Sequence, residues 1–255
     1  LLRLGVPLLV YGFLIGPTVV YLVQKPAEPL AGVLFQRWRM LDFDWGPMWF
    51  VAALLYFSIA YLIWRVFAGP PTRIGRPLPS DVRILRLAIA VGLASFVLRL
   101  GWPMGASVFG LQLGFFSSYV AMFIIGVLAW RHGWLEQLTS KRADRWLNVS
   151  GGALAALGVF ALATGVDPSG FAGGLNLAGF FYAMWEPLMA VGIAMSAFVL
   201  FRDRLDGRSR FWRELGRAAY PAYIVHPAVL VPLSLAATGI AAPPIVKFVV
   251  IGALS

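Results

Sequence analysis

The chain has 255 residues, of which 60% are hydrophobic, 15% aromatic and only 13% charged, and its mean hydropathy is +0.80. A soluble domain carries roughly 25% charged residues, and a disordered chain is poor in aromatic residues, so both classes are excluded. At about 20 apolar residues per span, the composition predicts a polytopic helical membrane protein with about seven or eight spans. Cysteine is absent, which excludes disulfides and thiolate metal sites, and we predict no metal site.

Continuous apolar runs predict an all-α transmembrane bundle of about eight spans that forms a single domain over residues 1–255. In chain order these spans cover residues 4–23, 46–68, 84–103, 113–130, 147–165, 177–201 and 217–238, with an eighth starting near 243. The chain starts at Leu1 rather than at Met and stops at Ser255 inside an apolar run, which indicates a fragment truncated at both ends.

Most of the 21 basic residues fall on one side of these spans. Arg3 and the arginine-rich stretches 65–86, 131–145 and 202–217 lie on that side, whereas the first opposite loop balances Lys25, Arg37 and Arg39 with Glu28, Asp42 and Asp44. By the positive-inside rule the basic loops are cytoplasmic, which predicts a multi-pass protein of the inner (plasma) membrane with the lipid bilayer as a partner. No basic domain stands outside the spans, so nucleic acid is excluded as a partner despite the net charge of +10.

Two ionisable residues fall inside predicted spans, where a charge is costly. Glu186 and His226 each lie about 14 Å from a span end, so on antiparallel neighbouring helices they can share one level. Such a pair relays protons or orients a base, or it forms a structural hydrogen bond between helices. Pro187 and Pro227 follow these residues directly and break helical hydrogen bonds, which favours a cavity at this depth.

Three other polar residues are candidates for substrate binding. Tyr220 and Tyr223 precede His226 at i, i+3 spacing, so they form a polar helix face that either lines a cavity or bonds to neighbouring helices. Arg99 lies near the outer end of the third span, where it either snorkels outward or holds a phosphate or carboxylate at the outer mouth.

Several segments resemble the acyltransferase-3 family of membrane proteins. The segments that resemble that family's motifs are Arg3-Leu4-Gly5-Val6-Pro7, Gly46-Pro47-Met48-Trp49-Phe50-Val51, residues 111–135 with Tyr119, Trp185-Glu186-Pro187 and residues 220–227, which end in His226-Pro227. Their order and spacing cover nearly the whole chain. The family has ten spans, so the resemblance implies that the first two are missing here.

The resemblance implies transfer of an acyl group, acetyl or succinyl in type, from cytoplasmic acyl-CoA to an extracytoplasmic carbohydrate hydroxyl. His226 and Glu186 are the expected catalytic residues, and Arg99, Tyr223, Tyr220, Trp49 and Tyr119 are the expected substrate-binding residues. No bound cofactor is expected, because acyl-CoA is a donor substrate. The catalytic His that the family carries in its first span, about three turns after an Arg or Lys, is not in this sequence, so we expect the fragment to be catalytically incomplete.

Two other classes of protein are compatible with the sequence. Intramembrane Glu186 and His226 in proline-broken helices are also typical of a proton-coupled transporter or flippase, although the breaks are not paired between two halves of the chain. A structural scaffold leaves the intramembrane Glu186 without an explanation.

Overall fold

The computed structural model describes residues 1–40, 45–69, 72–108, 110–205 and 210–254. These residues form an all-helical structure whose helices are α1 (Leu2–Gln24), α2 (Leu30–Met40), α3 (Gly46–Ala68), α4 (Asp81–Gly101), α5 (Leu113–His132), α6 (Trp134–Gln137), α7 (Ser140–Thr164), α8 (Leu177–Arg204), α9 (Arg210–Ala236) and α10 (Pro244–Leu254). The sequence-based expectations for Asp42, Asp44 and Arg208 fall outside the described residues.

Seven of the described helices are long and apolar enough to cross a membrane: α1, α3, α4, α5, α7, α8 and α9, the last extending as far as Gly239. The predicted helical membrane bundle is therefore confirmed. The predicted eighth span corresponds to α10, whose 11 described residues cover about 16 Å, roughly half of a hydrocarbon core about 30 Å thick.

Helix α2 occupies the first long loop, where the sequence analysis predicted no helix. The indole Nε1 of Trp38 in α2 donates to the backbone carbonyl of Phe13 in α1 at 2.8 Å. Pro17 lies four residues after Phe13 and has no N–H for that carbonyl, which leaves the oxygen available to Trp38. A turn of π-helix at Tyr11–Ile15 lies at the same point of α1.

The helices belong to two compact units. Unit 1 comprises Leu1–Leu62 and Gly207–Ser255, and unit 2 comprises Ile63–Asp206. The single domain over residues 1–255 stays a prediction.

Within unit 2, α8 packs closely on α4 and α7 at two glycines. A Cβ at Gly92 of α4 would lie 2.9 Å from the carbonyl oxygen of Ala183 in α8, and one at Gly192 of α8 would lie 1.9 Å from the hydroxyl oxygen of Ser150 in α7. The Ser150 hydroxyl contacts the carbonyls of Trp146 and Leu188 at 3.1 and 2.9 Å. Small residues of this kind let helix backbones approach each other in a membrane, where hydrophobic burial does not drive association.

We expect Gly192→Ala to destabilise unit 2, because the new methyl group overlaps Ser150 and the backbone of Trp146. An overpacked site costs about 1–3 kcal/mol, measured as a lower midpoint of thermal unfolding followed by tryptophan fluorescence in detergent. Gly158→Ala on α7 is the matched control, since nothing lies within 4 Å of its Cβ position. That change should raise stability slightly through helix propensity. Equal midpoints for the two variants would contradict the close approach at Gly192.

At one end of unit 2, which we call the basic end, the starts of α4 and α7 are tied together. Asp81 accepts from Arg142 Nε at 2.7 Å and from Trp146 Nε1 at 3.1 Å, and it pairs with Arg145. His132 ends α5 before the left-handed Gly133 and donates from Nδ1 to the carbonyl of Ile74 at 2.7 Å. These contacts hold the ends of α4, α5 and α7 together.

Candidate active-site residues

His226 lies in the middle of α9, in unit 1, and its ring is oriented by its own helix. Its Nδ1 lies 2.7 Å from the backbone carbonyl of Tyr223. In an uninterrupted helix that carbonyl would accept from the N–H four residues later, but residue 227 is a proline and has none. Pro227 therefore leaves the Tyr223 carbonyl free to accept from the imidazole.

This hydrogen bond fixes the tautomer of His226. A carbonyl oxygen only accepts, so Nδ1 of the neutral ring carries the hydrogen and donates it to Tyr223. The lone pair of the neutral ring is then on Nε2, and among the described residues no group bonds to that nitrogen. An oriented imidazole with a free basic nitrogen is the arrangement that a general base needs.

The two tyrosines on the same face of α9 both donate to backbone carbonyls within unit 1. Tyr220 donates its hydroxyl hydrogen to the carbonyl of Arg3 at 2.9 Å, and Tyr223 donates to the carbonyl of Pro47. Pro7 lies four residues after Arg3 and has no N–H for the Arg3 carbonyl. The polar face of α9 thus bonds to neighbouring helices, which is one of the two alternatives for these tyrosines. Substrate binding by Tyr220 and Tyr223 stays a prediction.

Replacing Pro227 by alanine should release the imidazole of His226. The new N–H at position 227 competes for the Tyr223 carbonyl, and a hydrogen bond worth about 0.5–1.5 kcal/mol is lost from Nδ1. We expect the ¹⁵N NMR shifts of His226 to move toward a mixture of tautomers, while His132, the other histidine, serves as an unchanged internal reference. Helix stability should rise, since an interior proline costs about 3 kcal/mol. An unchanged Nδ1–H tautomer would contradict this role of Pro227.

Glu186 and Arg99 form an ion pair inside unit 2. Arg99 Nη2 bonds to Glu186 Oε2, and Arg99 Nε donates to the carbonyl of Gly114 at 3.1 Å. The Arg99 side chain is 1% exposed and that of Glu186 is 15% exposed. The outward snorkelling alternative for Arg99 is therefore wrong, because its guanidinium lies in the protein interior opposite a carboxylate.

Helix direction explains why these residues meet although their Cα atoms lie at different depths. Arg99 lies about 3 Å from the end of α4, and Glu186 lies about 14 Å from the start of α8. The helices are antiparallel, and every Cα–Cβ bond leans toward the N-terminus of its own helix. The side chain of Arg99 therefore leans into the bundle and that of Glu186 leans toward the end opposite the basic end.

Aromatic rings and one glycine lie beside the Arg99 side chain. Its Cζ lies 4.7 Å from the ring centroid of Phe115 and 5.2 Å from that of Tyr182, and the rings of Phe115 and Tyr119 stack at 6.1 Å. A Cβ at Gly114 would lie 2.7 Å from the carbonyl of Trp102 and 3.3 Å from Arg99 Cγ, so only glycine fits beside the arginine. Cation–π contacts stabilise a desolvated guanidinium by about 2 kcal/mol.

One nitrogen of Arg99 has no partner in the part of the chain that the structure describes. Nη1 is buried and makes no hydrogen bond, whereas Nε and Nη2 both do. A buried guanidinium donor left unpaired is costly, so Nη1 is available to an oxygen atom of a ligand. Glu186, the more exposed member of the pair, is available to a hydroxyl group.

The structure places the predicted residues in both units. Trp49, Tyr220, Tyr223 and His226 belong to unit 1, and Arg99, Tyr119 and Glu186 belong to unit 2. That Glu186 and His226 lie at the same depth in the membrane therefore stays a prediction. Phe115, Tyr182 and Gly114, which lie around Arg99, were not predicted as site residues. The available signal in the sequence was the i, i+4 spacing of Tyr182 and Glu186 on α8. Over the described ranges, no cluster of three or more His, Asp or Glu side chains could hold a metal ion.

The seven described helices that are long and apolar enough to cross a membrane, with an ion pair between two of them, define the class of this protein, an integral membrane protein that crosses the bilayer several times. A family model described as an acyltransferase domain matches residues 1–255, the whole chain, and the chain belongs to the acyltransferase-3 family. The resemblance inferred from the sequence motifs is thereby confirmed. No curated protein and no solved structure matches the chain.

Proposed function

We propose that this membrane acyltransferase moves an acetyl- or succinyl-type group from cytoplasmic acyl-CoA to a carbohydrate hydroxyl on the extracytoplasmic side of the inner membrane. One observation carries the proposal: the His226 imidazole, in a chain matched along its length by an acyltransferase domain, has a fixed tautomer and a free Nε2. The roles of the individual residues below are part of the same proposal.

His226 serves as the base in this reaction. Its Nε2 accepts the proton of the acceptor hydroxyl while the oxygen attacks the thioester carbonyl, so an O–C bond forms. The C–S bond then breaks, and the thiolate of CoA takes the proton back from the imidazole as it leaves. The Tyr223 carbonyl, bonded to Nδ1–H, stabilises the imidazolium in between.

The Arg99–Glu186 pair binds the acceptor. Carbohydrates offer hydroxyls that both donate and accept and faces of C–H groups that pack on aromatic rings. Glu186 accepts from a hydroxyl, Arg99 Nη1 donates to an oxygen, and Tyr119 and Tyr182 supply rings beside them. This set lies toward the end of unit 2 opposite the basic end, which is the extracytoplasmic side under the positive-inside rule. Trp49 is assigned to substrate binding through the family motif alone.

The test measures acyl transfer in inverted membrane vesicles from cells that carry the gene at its own locus. Radiolabelled acetyl-CoA or succinyl-CoA is added outside, and label is followed into carbohydrate. The proposal requires transfer that depends on the gene and on acyl-CoA. Gene-dependent uptake of carbohydrate or lipid in vesicles without acyl-CoA, with no transfer, would overturn it in favour of a transporter or flippase.

A further inference from the structure

Unit 2 contains an apolar cavity of about 430 Å³ that the proposed reaction does not use. It lies between α4, α5 and α8 and extends from the basic end, at Leu78 and Arg83, to Ser118 and Pro187 in the bundle interior. Helices α5 and α8 each line it along 12 residues, from Ser118 to Ala129 and from Pro187 to Phe198. The cavity is therefore about 16 Å long, close to half of a hydrocarbon core about 30 Å thick.

The few polar atoms in the lining of the cavity determine what kind of ligand can occupy it. Among the described residues that line the cavity, polar side-chain atoms come only from Arg83, Ser118 and Trp134. The Ser118 hydroxyl and the Trp134 Nε1 are buried without a hydrogen-bond partner. An ordered water needs two to four polar partners, and the amides of a pantetheine arm would be left unpaired here at a cost of about 1–3 kcal/mol each. A hydrocarbon chain needs no partners.

A positively charged side chain, that of Arg83, lies at the basic end of the cavity. Arg83 lines the cavity there, its side chain is exposed, and it makes no ion pair with any carboxylate of the described residues. A guanidinium matches the oxygens of a phosphate group. The cavity runs about one leaflet deep from Arg83, which is the arrangement that suits a phospholipid with its phosphate on Arg83 and one acyl chain in the cavity.

We infer that this cavity binds one acyl chain of an anionic phospholipid from the leaflet at the basic end, with the lipid phosphate on Arg83. The chain fills the space that separates α5 from α8 and ends beside Pro187. The inference does not depend on acyl transfer, because binding is measured in the resting protein without a donor.

The test uses the full chain in vesicles of phosphatidylethanolamine with phosphatidylglycerol that carries a diazirine near the end of one acyl chain. After illumination, crosslinked peptides are mapped by mass spectrometry. We expect crosslinks at Ser118–Ile125 and Pro187–Ala194, competed by unlabelled phosphatidylglycerol. Crosslinks confined to the outward face of α7, or scattered over all spans, would overturn the inference. Competition by palmitoyl-CoA but not by phosphatidylglycerol would overturn the phospholipid assignment.

Three variants test the assignment further. Ala190→Trp fills the cavity and should lower crosslinking there at least fivefold, whereas Ala156→Trp, the same change at an exposed position of α7 outside the cavity, should not. Arg83→Ala should lower crosslinking by phosphatidylglycerol more than that by a zwitterionic phosphatidylcholine probe. Equal losses for both probes would remove the anionic headgroup from the assignment, because phosphatidylcholine carries a phosphate as well.

Discussion

Replacing His226 by alanine is expected to lower acyl transfer by about 10²–10⁴-fold, the range that a positioned general base contributes. The loss should appear in kcat more than in KM, because the imidazole takes the proton in the transition state rather than binding the resting substrate. The measurement is acyl-CoA-dependent transfer in inverted vesicles, normalised to the amount of protein in the membrane.

The structure offers a matched control on the same helix face. Tyr220→Phe removes one hydroxyl that donates to the Arg3 carbonyl and leaves the His226–Tyr223 hydrogen bond in place. It should cost stability, of the order of one hydrogen bond or about 1 kcal/mol. Because Tyr220 is a predicted substrate-binding residue rather than the base, its loss should raise KM and leave kcat per folded molecule nearly unchanged. Undiminished transfer by His226→Ala at normal abundance would remove His226 from the mechanism.

The membrane-spanning helices could be predicted from the sequence, because a long run of apolar residues indicates a segment that lies in lipid rather than in water. Each predicted span from residue 4 to residue 238 overlaps a helix that is long and apolar enough to cross a membrane. Helix α2 was missed because its Gly32, Arg37 and Arg39 interrupt the apolar run, so it has no span-length pattern. What supports it is a distant contact between Trp38 and the Phe13 carbonyl, which no local window of sequence contains.

The candidate site was predictable in part. The orientation of His226 follows from local rules, since a proline at 227 leaves the carbonyl at 223 without its usual donor. The partner of Glu186 does not follow from local rules, because Arg99 lies 87 residues away in the chain. Counting residues from the span ends places the Cα atoms of Arg99 and Glu186 at different depths. Each side chain leans toward the N-terminus of its own helix, which the count does not include, and this brings the charged groups together.

The Arg99–Glu186 pair gives the largest expected effect on stability. Glu186→Leu alone leaves a guanidinium that is 1% exposed without its counter-ion. Removing one partner of a buried pair costs about 3–5 kcal/mol, and we expect Arg99→Met to cost a similar amount by stranding the carboxylate. Unfolding in mixed micelles, followed by tryptophan fluorescence, measures both.

The double variant Arg99→Met with Glu186→Leu separates stability from function. It removes both charges and replaces them with apolar groups of similar volume, which is often neutral or stabilising by about 1–4 kcal/mol. We expect its stability to return to that of the parent protein, because no unpaired charge remains. Transfer should stay low and KM for the acceptor should rise. The double variant lacks both the Glu186 carboxylate, which accepts from a hydroxyl, and Arg99 Nη1, which donates to an oxygen atom. A stable double variant with the parent KM would show that the pair only holds α4 to α8.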